Sequence, residues 1–184
     1  AALALLEDLK VKSLYRSQVD DYLFKRAYCL LELGDYDKAR EAFVKVENRP
    51  HTDYSGPSRY ALGCIHYRNG NFDEALKWFE KASSDDRFSE VADYFILECR
   101  FMLKDYEYVT ANAQRMYDLV PQDRKPHLAR IISEASLVLG DTANARKYYE
   151  LGVGEGNEPD SRTDWFYSGS VLYAVDDYEG AIRS

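Results

Sequence analysis

The chain has 184 residues, 46% of them apolar and 30% charged, with a net charge of −8. An acidic chain repels a phosphate backbone, which argues against nucleic acid as a partner. No apolar run approaches the roughly 20 residues needed to cross a bilayer, and the apolar start Ala1-Ala2-Leu3-Ala4-Leu5-Leu6 lacks a basic leader and runs straight into Glu7 and Asp8, unlike a signal peptide.

In chain order, residues 1–14 read as the second helix of a preceding unit. The string Gly34-Asp35-Tyr36-Asp37-Lys38-Ala39 comes next and then recurs. Its later copies are Gly70-Asn71-Phe72-Asp73-Glu74-Ala75, Lys104-Asp105-Tyr106-Glu107-Tyr108-Val109, Gly140-Asp141-Thr142-Ala143-Asn144-Ala145 and Asp176-Asp177-Tyr178-Glu179-Gly180-Ala181, at intervals of 36, 34, 36 and 36 residues. Self-similarity at this period marks a stacked array of two-helix units rather than a globular enzyme domain. Glycine past the end of a first helix supplies the left-handed residue that stops it. The Asp or Asn that follows caps the next helix. Where Lys104 takes the glycine position, the left-handed conformation costs about 1 kcal/mol; Asp176 tolerates it better.

The units are placed at 20–53, 56–89, 90–123, 126–159 and 162–184. The connector 48–57 joins the first two, and the Gly-rich stretch 151–159 is the loosest joint. The last unit stops near the start of its second helix. Both ends are thus read as cut within a repeat, so the chain is expected to be part of a longer array and to self-associate end to end.

Small residues recur where two helices must approach: Ala27, Gly63, Ser133 and Gly169 in first helices, and Ala39, Ala75, Ala145 and Ala181 in second helices. An aromatic four residues on fills the space beside them. The third unit trades large for small, with Leu97, Val109 and Ala113, a swap that close packing tolerates better than a net volume change.

Catalytic patterns are missing. His51, His66 and His127 are scattered, and there is no HExxH, G-x-S-x-G, P-loop or dinucleotide fingerprint. Cys29, Cys64 and Cys99 stand 35 residues apart and read as small, mostly buried helix residues, one per layer. The chain is therefore read as non-enzymatic, with no metal and no cofactor.

The pattern resembles the tetratricopeptide repeat, whose signature is W-x2-L-G-x2-Y followed by A-x3-F and a late Pro. Leu62-Gly63 matches its L-G. Trp165 and Gly169 match W and G, with Ser168 in place of Leu. Ala39/Phe43, Ala75/Phe79 and Ala145/Tyr149 match A-x3-F, and Pro121 closes the third unit. The resemblance implies an all-α fold, a right-handed superhelical solenoid of stacked helix-turn-helix repeats whose concave face is lined by first helices. In that register Phe24, Tyr60, Tyr94, Arg130 and Phe166 form one groove row. Leu31, Tyr67, Phe101, Leu137 and Tyr173 form a second, seven residues later and on the same face. Tyr28, Cys64, Glu98, Glu134 and Ser170 lie between, and Arg68 adds charge.

The implied function is a protein-interaction scaffold or adaptor whose aromatic groove takes a peptide segment or helix of a partner protein. The alternative is a structural spacer that sets geometry between flanking domains, its rings only filling space between layers. The Lys and Asn groove residues with which some family members hold a chaperone's terminal carboxylate are replaced here by Phe24, Tyr28, Tyr60 and Cys64, so an apolar segment fits better than an acidic tail. Phrases such as 23–28, 69–80 and 94–98 also resemble the long multi-repeat envelope proteins of Bacteroides-type bacteria, which implies a bacterial, periplasmic or outer-membrane-associated scaffold.

Overall fold

The computed structural model describes residues 2–7, 14–50, 52–153, 162–174 and 176–183. His51, residues 8–13 and most of the Gly-rich joint, 154–159, lie outside them. Among the described residues there are twelve α-helices and no strand. They are α1 (Ala2–Glu7), α2 (Arg16–Glu32), α3 (Tyr36–Glu47), α4 (Ser55–Arg68), α5 (Phe72–Ala82), α6 (Ser89–Met102), α7 (Tyr106–Ala111), α8 (Ala113–Leu119), α9 (Lys125–Val138), α10 (Thr142–Val153), α11 (Arg162–Ala174) and α12 (Tyr178–Arg183).

The five repeated strings fold alike. Gly34, Gly70 and Gly140 have φ of +77°, +73° and +77°, and Lys104 and Asp176 adopt the same region at +63°. At each turn two amides close the helix end. Gly34 N–H donates to the Leu31 carbonyl and Asp35 N–H to that of Leu30, and the pattern repeats at Gly70, Lys104, Gly140 and Asp176. This double closure satisfies the carbonyls that a helix end leaves open. The next helix is then capped. Asp35, Asp105, Asp141 and Asp177 accept the amides of Lys38, Tyr108, Asn144 and Gly180. Asn71 makes no such bond.

The chain divides into two compact units, Ala1–Cys99 and Arg100–Ser184. In the first, α2 pairs with α3 and α4 with α5; α3 packs on α4, and α1 lies against α2. Ala27, Leu30, Phe43, Leu62 and Ile65 form one buried cluster there. In the second, α9 pairs with α10 and α11 with α12; α10 packs on α11, and α9 also reaches α11. Its core holds Val109, Met116, Leu128, Ile132, Tyr148 and Val171.

Three local features differ from the simple repeat. The second helix of the third unit breaks at Asn112, whose side-chain amide donates to the Tyr108 carbonyl at 2.9 Å and so competes with helix continuation. In α10 the buried ring is Tyr148, while Tyr149 is half-buried. Ser133 is not merely small: its hydroxyl donates to the Ala145 carbonyl at 2.6 Å, binding α9 to α10.

Candidate functional site

Two first-row rings of the first unit, Phe24 and Tyr60, are each stacked by a ring from the following connector. Phe24 of α2 lies 4.7 Å from Tyr54 at an interplanar angle of 18°, and Tyr60 of α4 lies 5.5 Å from Phe88 at 30°. Tyr54 is held there because its hydroxyl donates to Asp21 at 2.8 Å, a carboxylate that also takes the Lys25 ammonium at 2.8 Å. The bonds from Lys25 and then Tyr54 hold the Asp21 carboxyl below its usual value. Tyr60 further meets Phe79 and Phe95, and Phe79 and Phe95 stack at 5.0 Å. Tyr94 is buried.

The second-row rings brace the turns. Tyr67 meets Phe72 edge-on at 5.5 Å, and in the second unit Phe101 meets Tyr106 at 5.9 Å and Tyr173 meets Tyr178 at 5.4 Å. Each pair spans five residues across a turn. Leu31 and Tyr36, the corresponding pair in the first repeat, both pack on the buried cluster of the first unit. The exposed Arg68 lays its guanidinium 4.2 Å from the Tyr36 ring centre. The aromatic of the repeated string thus holds the first helix to the second.

The positions between the rows diverge. Tyr28 is half exposed, whereas Glu98 is buried. The Tyr67 phenol bonds Glu98 and is pushed above its ordinary value, first by burial and then by the Glu98 charge. Burial, with smaller contributions from Glu98 and Cys64, pushes the Cys99 thiol up to about 12, and burial also raises Cys64. Thiols held protonated are poor nucleophiles. In the second unit Arg130 Nη1 lies 3.7 Å from Glu134. Phe166 is 77% exposed and Tyr173 66%.

The expected groove residues therefore separate into three groups. Phe24, Leu31, Tyr60, Tyr67 and Phe101 are partly buried against their neighbours. Tyr94 and Glu98 lie beneath the surface. Tyr28, Arg68, Phe166 and Tyr173 stand open, with the Arg130–Glu134 pair half-buried on α9. The bracing roles of Tyr54 and Phe88 escaped the sequence reading, although rings 34 residues apart just before or at the start of successive first helices are a readable signal.

An apolar pocket of about 350 Å³ opens between α1 and α2. It is lined by Ala2, Leu5 and Leu6 on one side and by Phe24, Tyr28 and Cys29 on the other, with Lys25 beside them. Among the described residues no group of three His, Cys, Asp or Glu side chains is placed to hold a metal ion. No helix among them is long and apolar enough to cross a membrane.

Residues 21–52 and 58–86 each match a family model of the tetratricopeptide repeat. A comparison with curated proteins finds no match to the chain.

Proposed function

Because the chain is a tetratricopeptide repeat protein, we propose that it is a non-enzymatic interaction scaffold, organised as the two-helix units 20–53, 56–89, 90–123, 126–159 and 162–184, that takes a segment of a partner protein on the face of its first helices. Tetratricopeptide repeats generally mediate protein–protein interaction. One contrast carries the finer reading. Tyr28 touches Phe24 and Tyr173 touches Tyr178 on one side, yet these two rings and Phe166 keep about half or more of their surface open, whereas Tyr60 and Tyr67 are partly buried among several rings. Large rings of this kind anchor partner segments, and a charge sets register within each unit, Arg68 in the first and Arg130 in the second. The spacer reading draws support from Tyr60 and Tyr67, whose rings are taken up within the array.

Panning a random peptide library against the immobilised chain separates the two. The scaffold reading expects an enriched apolar or aromatic consensus whose affinity falls at least tenfold with Tyr28→Ala or Tyr173→Ala, at unchanged helicity. No consensus, or one indifferent to both substitutions, leaves the spacer.

A further inference from the structure

Of the six asparagines in the chain, Asn69 alone is followed by glycine. It caps the C-terminal end of α4 and is exposed. Gly70 after it has φ of +73°, with open space where a Cβ would stand. The next two amides are both engaged. Gly70 N–H donates to the Tyr67 carbonyl at 3.0 Å, and Asn71 N–H to that of His66 at 2.9 Å. This is also the turn of the five whose following helix lacks a side-chain cap bond, at Asn71. In the other repeats the place of Asn69 is taken by Leu33, Leu103, Leu139 and Val175, which carry no side-chain amide.

We infer that Asn69 is a modification site, converted by water to aspartate and isoaspartate when the α4–α5 turn opens. In this reaction the Gly70 nitrogen attacks Cγ of Asn69 and gives up its proton to a base in the solvent. A new C–N bond closes a cyclic imide, and the side-chain nitrogen leaves as ammonia. Water then opens the imide at either carbonyl. Glycine favours the attack because no Cβ crowds its nitrogen. The folded turn opposes it. Asn69 has ψ of 3°, and its peptide plane must rotate well away from that value to bring the nitrogen onto Cγ. The rotation breaks the Gly70 and Asn71 hydrogen bonds together. An exposed turn opens locally at a smaller cost than global unfolding, and the missing cap bond at Asn71 lowers that cost further. The product weakens the turn it came from. Isoaspartate routes the main chain through an extra carbon, which puts both amides out of register with their carbonyls. Either product adds a negative charge at the C-terminal end of α4, where the helix dipole disfavours it.

The test ages the full chain at mildly alkaline pH, with and without guanidinium chloride, and follows each asparagine by peptide mapping and mass spectrometry. Asn69 is expected to convert first, at least tenfold faster in denaturant than in the folded chain. Asn71→Asp, which supplies the missing cap, should slow the folded rate at least twofold and leave the rate in denaturant unchanged. The aged parent should melt at a lower temperature than the fresh one. Asn69→Leu, which copies the exposed Leu33 and Leu139 of other turns, should keep the helicity and melt alike before and after ageing. Conversion of Asn48, Asn112 or Asn144 ahead of Asn69 overturns the inference. So does a folded rate equal to that in denaturant, a folded rate indifferent to Asn71→Asp, or an aged parent as stable as the fresh one.

Discussion

Gly63 of α4 faces the ring of Phe79 of α5 so closely that a Cβ on Gly63 would lie 2.6 Å from both Cδ1 and Cε1 of that ring. Phe79 is fully buried and stacked on Phe95, so it cannot step aside without disturbing a third helix. Gly63→Ala is expected to cost about 1–3 kcal/mol through overpacking, read as a lower urea midpoint at unchanged slope. Phe79→Leu in the same chain should return part of that loss, since it removes the atoms that clash.

Lys104 holds a left-handed conformation that glycine takes in three of the other repeats. Lys104→Gly removes the Cβ penalty but adds freedom to the unfolded chain, for a net gain of about 0.5–1 kcal/mol. Asp176 should respond less. Its carboxylate accepts the Tyr178 hydroxyl at 2.7 Å, and glycine would give up that bond. Equal gains at the two sites in thermal unfolding would contradict this difference.

Capping separates the turns in a similar way. Asn71 is the position in the five strings without a side-chain cap bond, so Asn71→Asp is expected to stabilise by about 0.5–1 kcal/mol. Asp141 accepts from both the backbone and the side chain of Asn144, which holds its carboxyl below the usual range. A depressed folded pKa means stability that is present above the unfolded value of about 3.9 and lost as pH falls through the folded one. Asp141→Asn should therefore lower stability at pH 7, where the ionised carboxylate contributes, and flatten the acid limb below about pH 4, so that variant and parent converge as pH falls.

The repeat was legible because its turn chemistry is local. A glycine that needs positive φ and an aspartate that caps the next three residues leave their marks in six consecutive letters, so the helix boundaries around Gly34, Gly70 and Gly140 could be read directly. Lys104 and Asp176 were legible through period alone. The candidate face was less so, because the same ring serves two purposes. Tyr60 and Tyr28 both lie on first helices, but Phe88 is present to cover one, and the other keeps an open side. That difference depends on contacts across some 28 residues, which no local pattern records. The Ser133 bond to α10 was hidden for a related reason, since smallness explained the residue already.

His66 gives a second pH signature. Its Nδ1 is buried without a hydrogen-bond partner among the described residues. Burial first, and then the Arg40 charge, lowers its pKa below the ordinary value, with Glu74 acting in the opposite sense. Protonation would place a second N–H donor in a site that offers it no acceptor. The stability at stake is present above the unfolded pKa of about 6.5 and lost as pH falls through the folded value. His66→Phe should shrink the drop in Tm between pH 7.5 and pH 5. A variant with the same drop as the parent would show that the imidazole does not report on folding.

Two tyrosines of the candidate face should behave in opposite ways. Tyr67 braces Phe72, meets Phe95 and bonds the buried Glu98. Tyr67→Ala opens a gap and leaves that carboxylate without its phenol, so a loss of about 2 kcal/mol or more is expected. Tyr28 is half exposed, and Tyr28→Ala should cost about 1 kcal/mol or less. Binding should invert the order. A selected peptide should lose at least tenfold in affinity with Tyr28→Ala, while Tyr67→Phe, which keeps the ring, should bind as the parent does. Urea unfolding and peptide titration on the same preparations give both readings. If Tyr28→Ala were as destabilising as Tyr67→Ala, its ring would belong to the packing as well. Tyr28 would then no longer count among the open rings from which the binding face is argued.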